Sequence, residues 1–307
     1  MHKFLLHVVL VFVALHSSFA QTNSPSAIAQ AVCPQTGQKV AFLGDSITAF
    51  GWGKPAGYVH LVAMALEQQG DKVEVVPAGV SGNTSKDMLA RLDASVLSKK
   101  PDWMTLSCGV NDVWHGANGV PLDGYQQNIT SIVDQATAAG IKVVILTSTL
   151  IGEDDQNDNN KKAVPYNDFL RTLAKQRRFP LADLNAAEVA ELAGIRAASP
   201  NLKGTLMTVD GVHMNPFGDQ MMASGILKAW GFTDAQLGKA REAWLDIANG
   251  VDLNGKTSIT PRQYEQLTAL AASQGKSVND LVGGAFNTAV ESVLKDASAV
   301  PAPSPKP

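Results

Sequence analysis

Short apolar runs alternate along the chain with segments whose apolar residues recur at helical spacing. Apolar runs typical of strands lie at 39–44, 73–78, 103–108 and 142–149, with a weaker one at 181–184. Amphipathic segments typical of helices lie at 57–69, 84–98, 121–139, 163–177 and 185–195. The strand runs contain few polar residues, as expected when helices cover both faces of a sheet. The alternation predicts a three-layer α/β/α fold with a parallel central sheet.

Polar, glycine-rich residues follow each of the predicted strands. Asp45-Ser46 follows the first strand, Gly79–Thr84 the second and Gly109–Asp112 the third. The fourth strand runs into a polar loop at 150–165, which is long enough to form part of a rim or lid. Because the carboxyl ends of parallel strands share one edge of the sheet, these residues are predicted to converge there.

The β/α alternation ends near residue 232. Helical patterns follow it near 234–248, 261–274 and 277–296. We therefore expect a main domain at 38–232, a helical C-terminal extension at 233–296 and a disordered tail at 297–307. Two arrangements remain open for the extension, which can pack on the main domain or against a partner.

The first 20 residues have the pattern of a cleavable signal peptide. Lys3 precedes an apolar run that ends at Leu15, and small residues precede a predicted cleavage site after Ala20. The alternative is a buried N-terminal helix. Position 21 is Gln rather than Cys, so no lipid anchor is predicted, and residues 21–37 form a loose leader. We expect a secreted or periplasmic protein without a membrane anchor.

Composition argues against a nucleic-acid partner. The 307 residues are 45% hydrophobic and 17% charged, with a net charge of −3 at pH 7. This length can bury a sizeable core, and the mild negative charge gives no electrostatic attraction to nucleic acid or an anionic membrane. Cys33 and Cys108 are predicted to lie at opposite ends of the sheet, beyond the reach of a disulfide. The oligomeric state stays open.

Ser46 is a candidate nucleophile if the chain also supplies a base. Three of the six histidines fall in the predicted signal peptide, which leaves His60, His115 and His213. His213 is the candidate base, because Asp210 precedes it by three residues and can orient the imidazole. The alternative is that this Asp–His pair only caps the helix that begins near residue 216. His60 is predicted to be a packed or surface residue of a helix.

Donors for a developing oxyanion are present at the ends of three predicted strands. Ser46 and Gly82 can each offer a backbone N–H, and Asn111 can offer its side-chain NH₂. Each has an alternative role as an ordinary turn residue, since Gly and Asn are common in loops. The G-x-S-x-G elbow of α/β-hydrolases is absent from the sequence.

The candidate residues lie in four ordered blocks: Gly44-Asp45-Ser46-Ile47, "AGVSGNT" with Gly82, "GVND" with Asn111, and "DGVH" at 210–213. Together these blocks resemble those of the GDSL (SGNH) hydrolase superfamily. The first block has Ile47 where the family name implies Leu, which leaves the nucleophile position unaffected. The resemblance covers about residues 38–232.

This resemblance implies a flavodoxin-like fold and a serine esterase that works through an acyl-enzyme without a metal or cofactor. Ser46 would attack the acyl carbonyl, and His213, oriented by Asp210, would act as base and then as acid. Ser46, Gly82 and Asn111 would form the oxyanion hole. The partner implied is a small-molecule or glycan ester substrate.

Three further residues bear on the substrate. Trp52, Trp114 and His115 are predicted near the mouth of the site, with core packing as the alternative for either Trp. "GVNDVWHG" is also similar to segments of the family's carbohydrate acetylesterases. We expect deacetylation of xylan- or pectin-type carbohydrate. The alternatives are a lysophospholipase, thioesterase or arylesterase with the same triad, and a non-catalytic carbohydrate-binding module on the same fold.

The acidic residues of the polar loop favour a small or polar substrate over a long acyl chain. They are Glu153, Asp154, Asp155 and Asp158. Such residues are too polar to line an apolar groove. They are predicted to be solvated, with cation binding as the alternative.

Overall fold

The computed structural model describes residues 33–198, 205–247, 266, 270, 273–276 and 278–297. The chain divides into two compact units, Met1–Val251 and Asp252–Pro307. The predicted signal peptide at 1–20, the leader up to residue 32 and the tail beyond residue 297 lie outside the described residues, as does most of the helix predicted at 261–274.

The described residues contain one sheet of five parallel strands. The strands are β1 (Lys39–Gly44), β2 (Glu74–Gly79), β3 (Trp103–Ser107), β4 (Lys142–Leu146) and β5 (Leu181–Ala182). Their order across the sheet is β2-β1-β3-β4-β5, so β1 lies between β2 and β3. The register pairs Gly44 with Gly79 and Leu43 with Leu106. This arrangement confirms the predicted parallel α/β sheet.

Helices cover both faces of the sheet. Those of the first unit are α1 (Ser46–Gly53), α2 (Tyr58–Gln68), α3 (Ser85–Ala90), α4 (Leu92–Ser95), α5 (Val110–Trp114), α6 (Leu122–Ala138), α7 (Asp158–Arg177), α8 (Leu184–Ala198), α9 (Pro216–Ala229) and α10 (Asp234–Leu245). The second unit contains α11 (Val278–Ala297). One layer contains α2, α8, α9 and α10, and the other contains α3, α6 and α7. The three-layer prediction is therefore confirmed.

Two short helices were not predicted, and both begin at the blocks that carry the candidate chemistry. The side chain of Asp45 caps α1 by accepting a hydrogen bond from the Ile47 N–H at 2.9 Å. Helix α5 begins after Gly109, whose φ of +137° is open to glycine but strained for other residues. The two helices are only eight and five residues long, so neither shows a clear helical pattern in the sequence.

Helix α7 begins earlier than predicted, at Asp158 rather than 163, and includes Pro165. Asn157 caps it by accepting a hydrogen bond from the Asn160 N–H at 2.9 Å. The missing N–H of Pro165 is tolerated because the helix buries Tyr166 and Leu170 against the core. The polar loop therefore ends at residue 157, and the prediction that it extends to 165 is wrong.

Helix α10 belongs to the first compact unit. It contacts α2 and α9, and the buried Trp244 donates a hydrogen bond from Nε1 to the Leu61 carbonyl at 3.1 Å. The predicted boundary near residue 232 assigns this helix to the C-terminal extension, for which packing on the main domain was one of the two open arrangements. In the structure, the first compact unit extends to residue 251.

Both cysteines are free thiols. Cys33 precedes β1 and Cys108 follows β3, at opposite ends of neighbouring parallel strands. Burial raises the pKa of Cys33 to about 11 and that of Cys108 well above its ordinary value. Across the described residues, no helix combines the length and hydropathy needed to cross a membrane.

Candidate active site

The residues of the candidate site follow the carboxyl ends of three adjacent strands. Ser46 is the first residue of α1, directly after β1. Gly82 lies in the turn after β2, and Asn111 lies in α5 after β3. Because β1 pairs with both β2 and β3, the three residues are placed at the same edge of the sheet.

Ser46, His213 and Asp210 form a continuous chain of hydrogen bonds. The distance from Ser46 Oγ to His213 Nε2 is 2.8 Å, and that from His213 Nδ1 to Asp210 Oδ2 is 2.7 Å. The carboxylate favours the imidazole tautomer that carries its proton on Nδ1. Nε2 is then left to accept the proton of the Ser46 hydroxyl.

The backbone of the same loop stabilises the charged form of Asp210. Its Oδ1 accepts hydrogen bonds from the N–H groups of Val212, at 3.0 Å, and His213, at 2.8 Å. Burial acts to raise the pKa of Asp210, but these bonds and the His213 ring outweigh it and hold the pKa below its ordinary value. Asp210 is therefore a carboxylate at neutral pH.

Asp210 and His213 lie at the turn of a narrow hairpin, the triad hairpin (residues 207–215). The Val209 N–H donates to the His213 carbonyl at 2.8 Å, and the Asn215 N–H donates to the Met207 carbonyl at 3.0 Å. The Asn215 side chain caps α9 by accepting a hydrogen bond from the Phe217 N–H at 2.9 Å. The capping role considered as an alternative for Asp210 and His213 is therefore filled by Asn215.

The three candidate oxyanion donors lie at one edge of the sheet, and each is held in a different way. Gly82 has a φ of +78°, a conformation that glycine adopts without strain. Asn111 donates one N–H of its side chain to the Asn83 carbonyl at 3.0 Å, which leaves the second N–H for another acceptor. Within the described part of the chain, the backbone N–H groups of Ser46 and Gly82 donate to no protein acceptor.

Arg91 and Asp112 connect the blocks that carry these donors. Arg91 donates from Nη2 to the Gly44 carbonyl at 2.9 Å and from Nε to Asn83 Oδ1 at 2.5 Å. The buried Asp112 carboxylate accepts hydrogen bonds from the Ser85 N–H and, at 2.6 Å, from its hydroxyl. These contacts fix the turn after β2 relative to the ends of β1 and β3.

Asp45 is fully enclosed beside the candidate nucleophile. Burial raises its pKa to about 6, while the hydrogen bond from Ile47 and the charge of His213 act in the opposite direction. Its established contact is the cap on α1, which sets the direction of the helix that begins with Ser46.

The three predicted substrate residues lie on the surface. Trp52 is 38% exposed and stacks on the His60 ring, with the ring centroids 4.3 Å apart. Trp114 is 47% exposed at the end of α5, and His115 is exposed beside it. Core packing, the alternative for either Trp, is therefore wrong. Phe50 was not predicted, yet its ring lies 4.7 Å from that of His213.

The acidic residues of the polar loop have contrasting surroundings. Glu153 is half-buried, and its carboxylate accepts four hydrogen bonds from residues 206–208, so the prediction of a solvated side chain is wrong for this residue. Asp154 and Asp155 are exposed and accept hydrogen bonds from Gln156, and Asp158 is exposed in the first turn of α7. The described residues contain no cluster of three metal-ligating side chains.

Several contacts around the site were not predicted from the sequence, and only the one made by Phe50 had a usable signal. Phe50 is four residues after Ser46, which places the two on one face of a helix once α1 is recognised. Asp112 was named only as part of the third block and Glu153 only as a loop acid, and Arg91 was not named. The partners of all three are distant in sequence, so no local pattern predicts these contacts.

The model of the GDSL-like lipase/acylhydrolase family matches residues 42–221. The chain belongs to this family. Its relatives include an acetylxylan esterase of Geobacillus stearothermophilus, which is 27% identical and aligns with 64% of this chain and 95% of the relative.

Two further similar proteins broaden the comparison. The thioesterase 1/protease 1/lysophospholipase L1 of Escherichia coli K12 is 27% identical over 61% of this chain and 80% of the relative. The crystal structure of the acetyl xylan esterase AlAXEase matches with a TM-score of 0.57 and 32% identity, over 62% of this chain and 98% of that chain. The protein is a carboxylic ester hydrolase, as predicted, and the non-catalytic alternative is wrong.

Proposed function

We propose that this protein is an exported esterase that removes acetyl groups from carbohydrate, with Ser46 as nucleophile. The observation that carries the proposal is the unbroken chain from Ser46 Oγ through His213 to Asp210, at the sheet edge where Gly82 and Asn111 also lie. Export is supported by the signal-like pattern of residues 1–20, and the mature protein is then expected to begin at Gln21.

In the first half of the reaction, His213 Nε2 takes the hydroxyl proton of Ser46 as Oγ bonds to the acetyl carbonyl carbon. The negative charge that develops on the carbonyl oxygen is stabilised by the N–H groups of Ser46 and Gly82 and the side-chain amide of Asn111. The carbon–oxygen bond to the sugar then breaks. His213 returns its proton to the leaving sugar oxygen, and acetyl-Ser46 remains.

Water completes the cycle by the same route. His213 accepts a proton from a water molecule as the water oxygen attacks the acetyl carbon of the acyl-enzyme. When the bond to Ser46 Oγ breaks, acetate is released and the proton on His213 returns to Oγ. Asp210 remains a carboxylate throughout and stabilises the imidazolium that forms in each half.

A carbohydrate substrate is supported by two independent observations. Acetylxylan esterases are among the relatives that align over nearly their whole length, and catalytic mutants of the Geobacillus enzyme replace a serine, an aspartate and a histidine with alanine. In addition, Trp52 and Trp114 expose flat aromatic surfaces after the first and third strands. Such surfaces suit stacking against sugar rings.

A lysophospholipase or thioesterase is the second candidate. Four apolar side chains are exposed on segments that carry the site: Phe50, Val80, Val209 and Phe217. Phe50 contacts His213, and Val209 precedes Asp210, so these side chains could receive an acyl chain. The Escherichia coli relative, whose name includes thioesterase and lysophospholipase, favours the same alternative.

Two series of substrates separate these candidates. We expect acetate release from acetylated xylo-oligosaccharides or pectin fragments, and kcat/KM for p-nitrophenyl esters that falls as the acyl chain lengthens beyond acetate. Ser46→Ala is the control for background hydrolysis. The opposite result is a kcat/KM that rises with acyl chain length up to octanoate or longer, with no acetate released from the glycans. It would contradict the carbohydrate proposal and support a lysophospholipase or thioesterase.

A further inference from the structure

The loop that connects β4 to α7 is held in a defined shape by the start of α7. The Asn160 side chain accepts a hydrogen bond from the Ile151 N–H at 2.9 Å and donates to the Asp154 carbonyl at 2.7 Å. The Asn157 side chain donates to the Ile151 carbonyl at 2.7 Å. Asn160 is buried. Residues 151–154 are therefore attached to a long, well-packed helix.

From this loop, the Glu153 carboxylate extends to residues 206–208, at the start of the triad hairpin. Oε2 accepts a hydrogen bond from the Leu206 N–H at 2.6 Å. Oε1 accepts from the N–H groups of Met207 and Thr208, at 2.7 and 2.8 Å, and from the Thr208 hydroxyl at 2.7 Å. Charged acceptors make stronger hydrogen bonds than neutral ones, so four such bonds hold this segment firmly.

Two contacts carry the constraint from that segment to the turn that bears Asp210. The buried Thr208 hydroxyl also accepts a hydrogen bond from the Gly211 N–H at 3.0 Å. The Gly211 carbonyl in turn accepts from the Gly152 N–H at 2.6 Å. Gly211 is therefore held at both its N–H and its carbonyl, in the turn between Asp210 and His213.

We propose that Glu153 is a positioning residue for acyl transfer, acting through Thr208 and Gly211 to hold Asp210 and His213 in line with Ser46. The inference rests on the proposed function of this triad. Glu153 has no contact with Ser46 or His213, so it serves geometry rather than proton transfer. Small displacements of a reacting group lower the rate steeply, by up to about 10²-fold for 1 Å.

Glu153→Gln tests the proposal with little change in shape. Its amide NH₂ replaces one acceptor and must face an N–H group of residues 206–208. We expect kcat to fall about 10- to 100-fold with KM changed less than about twofold, because substrate binding is not touched. Asp155→Asn is the matched control, since Asp155 is an exposed acid of the same loop.

A proton NMR signal distinguishes positioning from a general loss of folding. The proton shared by His213 Nδ1 and Asp210 is expected as a downfield resonance in the parent protein, assigned by its absence from His213→Gln. Glu153→Gln should weaken or broaden this resonance while the circular dichroism spectrum stays that of the parent. Asp155→Asn should retain it.

Thr208 provides a second test that does not depend on Glu153→Gln being folded. Thr208→Val removes the hydroxyl that links Glu153 to Gly211, and Thr208→Ser retains it. We expect Thr208→Ser to restore both kcat and the downfield resonance relative to Thr208→Val. Folded Thr208→Val with the parent kcat and resonance would overturn the proposal. If Ser46→Ala itself keeps the parent kcat, the proposed function fails instead.

Discussion

At the scale of single residues, Asn111 has a structural contact in the fold and, in the proposed function, a role in the chemistry. One N–H of its amide is committed to the Asn83 carbonyl, which fixes the orientation of the group. In the proposed function, the other N–H can donate to the developing oxyanion without any rearrangement during the reaction. Such preorganisation is what makes a neutral donor effective toward a charge that forms only near the transition state.

Asn111→Ala is expected to lower kcat by about 10²–10³ while leaving the enzyme measurably active, because the backbone donors of Ser46 and Gly82 remain. Steady-state kinetics on p-nitrophenyl acetate measure the effect. Asn118→Ala, in the exposed turn that follows α5, is the control and should retain the parent kcat. Parent activity in Asn111→Ala would remove Asn111 from the oxyanion hole.

At the scale of elements, α5 positions Asn111 through the unusual backbone of Gly109. A Cβ at Gly109 would lie 3.0 Å from Ser148 Oγ, in addition to the strain of a φ of +137°. Helix α5 is only five residues long, so a shift at its start is passed directly to Asn111. The position therefore links backbone conformation to the site.

Gly109→Ala should lower both the free energy of unfolding, by about 1–3 kcal/mol, and kcat. Gly140→Ala is the control, since Gly140 also has a positive φ, of +80°, but has open space where a Cβ would lie. Gly140 precedes β4, at the end of the strand that is far from the site. The Gly140→Ala variant should have a lower free energy of unfolding but the kcat of the parent. Urea denaturation and ester kinetics on both variants give the comparison. Equal kcat in the two variants would contradict the link between Gly109 and the site.

The sequence was most informative about elements whose side chains repeat with a clear period. The four longer strands were predicted to within three residues at each end. β1, β3 and β4 are largely buried and therefore apolar on both faces, and the edge strand β2 also forms a mostly apolar run although two of its residues are exposed. Helices α1 and α5 were missed because their starts depend on an Asp cap and a glycine conformation. The contacts of Glu153 were not predicted, because its partners at 206–208 are brought close to it only by folding.

At the scale of the whole molecule, several buried carboxyl groups make stability depend on pH. Burial raises the pKa of Asp219 to about 7, although the Tyr58 N–H donates to it at 3.0 Å. Burial likewise raises the pKa of Glu188 to about 7 and that of Asp45 to about 6. In each case the folded protein binds a proton more tightly than the unfolded chain. These groups therefore lower the free energy of unfolding as pH rises from about 4 to about 7.

Asp219→Asn should remove one part of this dependence. The Asn side chain can still accept the hydrogen bond from Tyr58 but never becomes charged. Relative to the parent, the variant should gain stability as pH rises from about 4 to 8, by up to about 4 kcal/mol. Urea denaturation across this pH range measures the difference. Asp123→Asn, at an exposed site, is the control and should show the same dependence of stability on pH as the parent. If the difference in free energy of unfolding between Asp219→Asn and the parent stays constant with pH, the raised pKa assigned to Asp219 is contradicted.

The central claim is that Ser46 is the nucleophile of an acyl-transfer reaction. Diethyl p-nitrophenyl phosphate tests it directly, since attack by an activated serine releases one nitrophenolate and leaves a stable phosphoryl group on its oxygen. We expect one nitrophenolate per chain, an adduct on the peptide that contains Ser46, and complete loss of acetylesterase activity. Ser46→Ala should show neither release nor turnover. An adduct on another residue, or parent turnover by Ser46→Ala, would contradict the account.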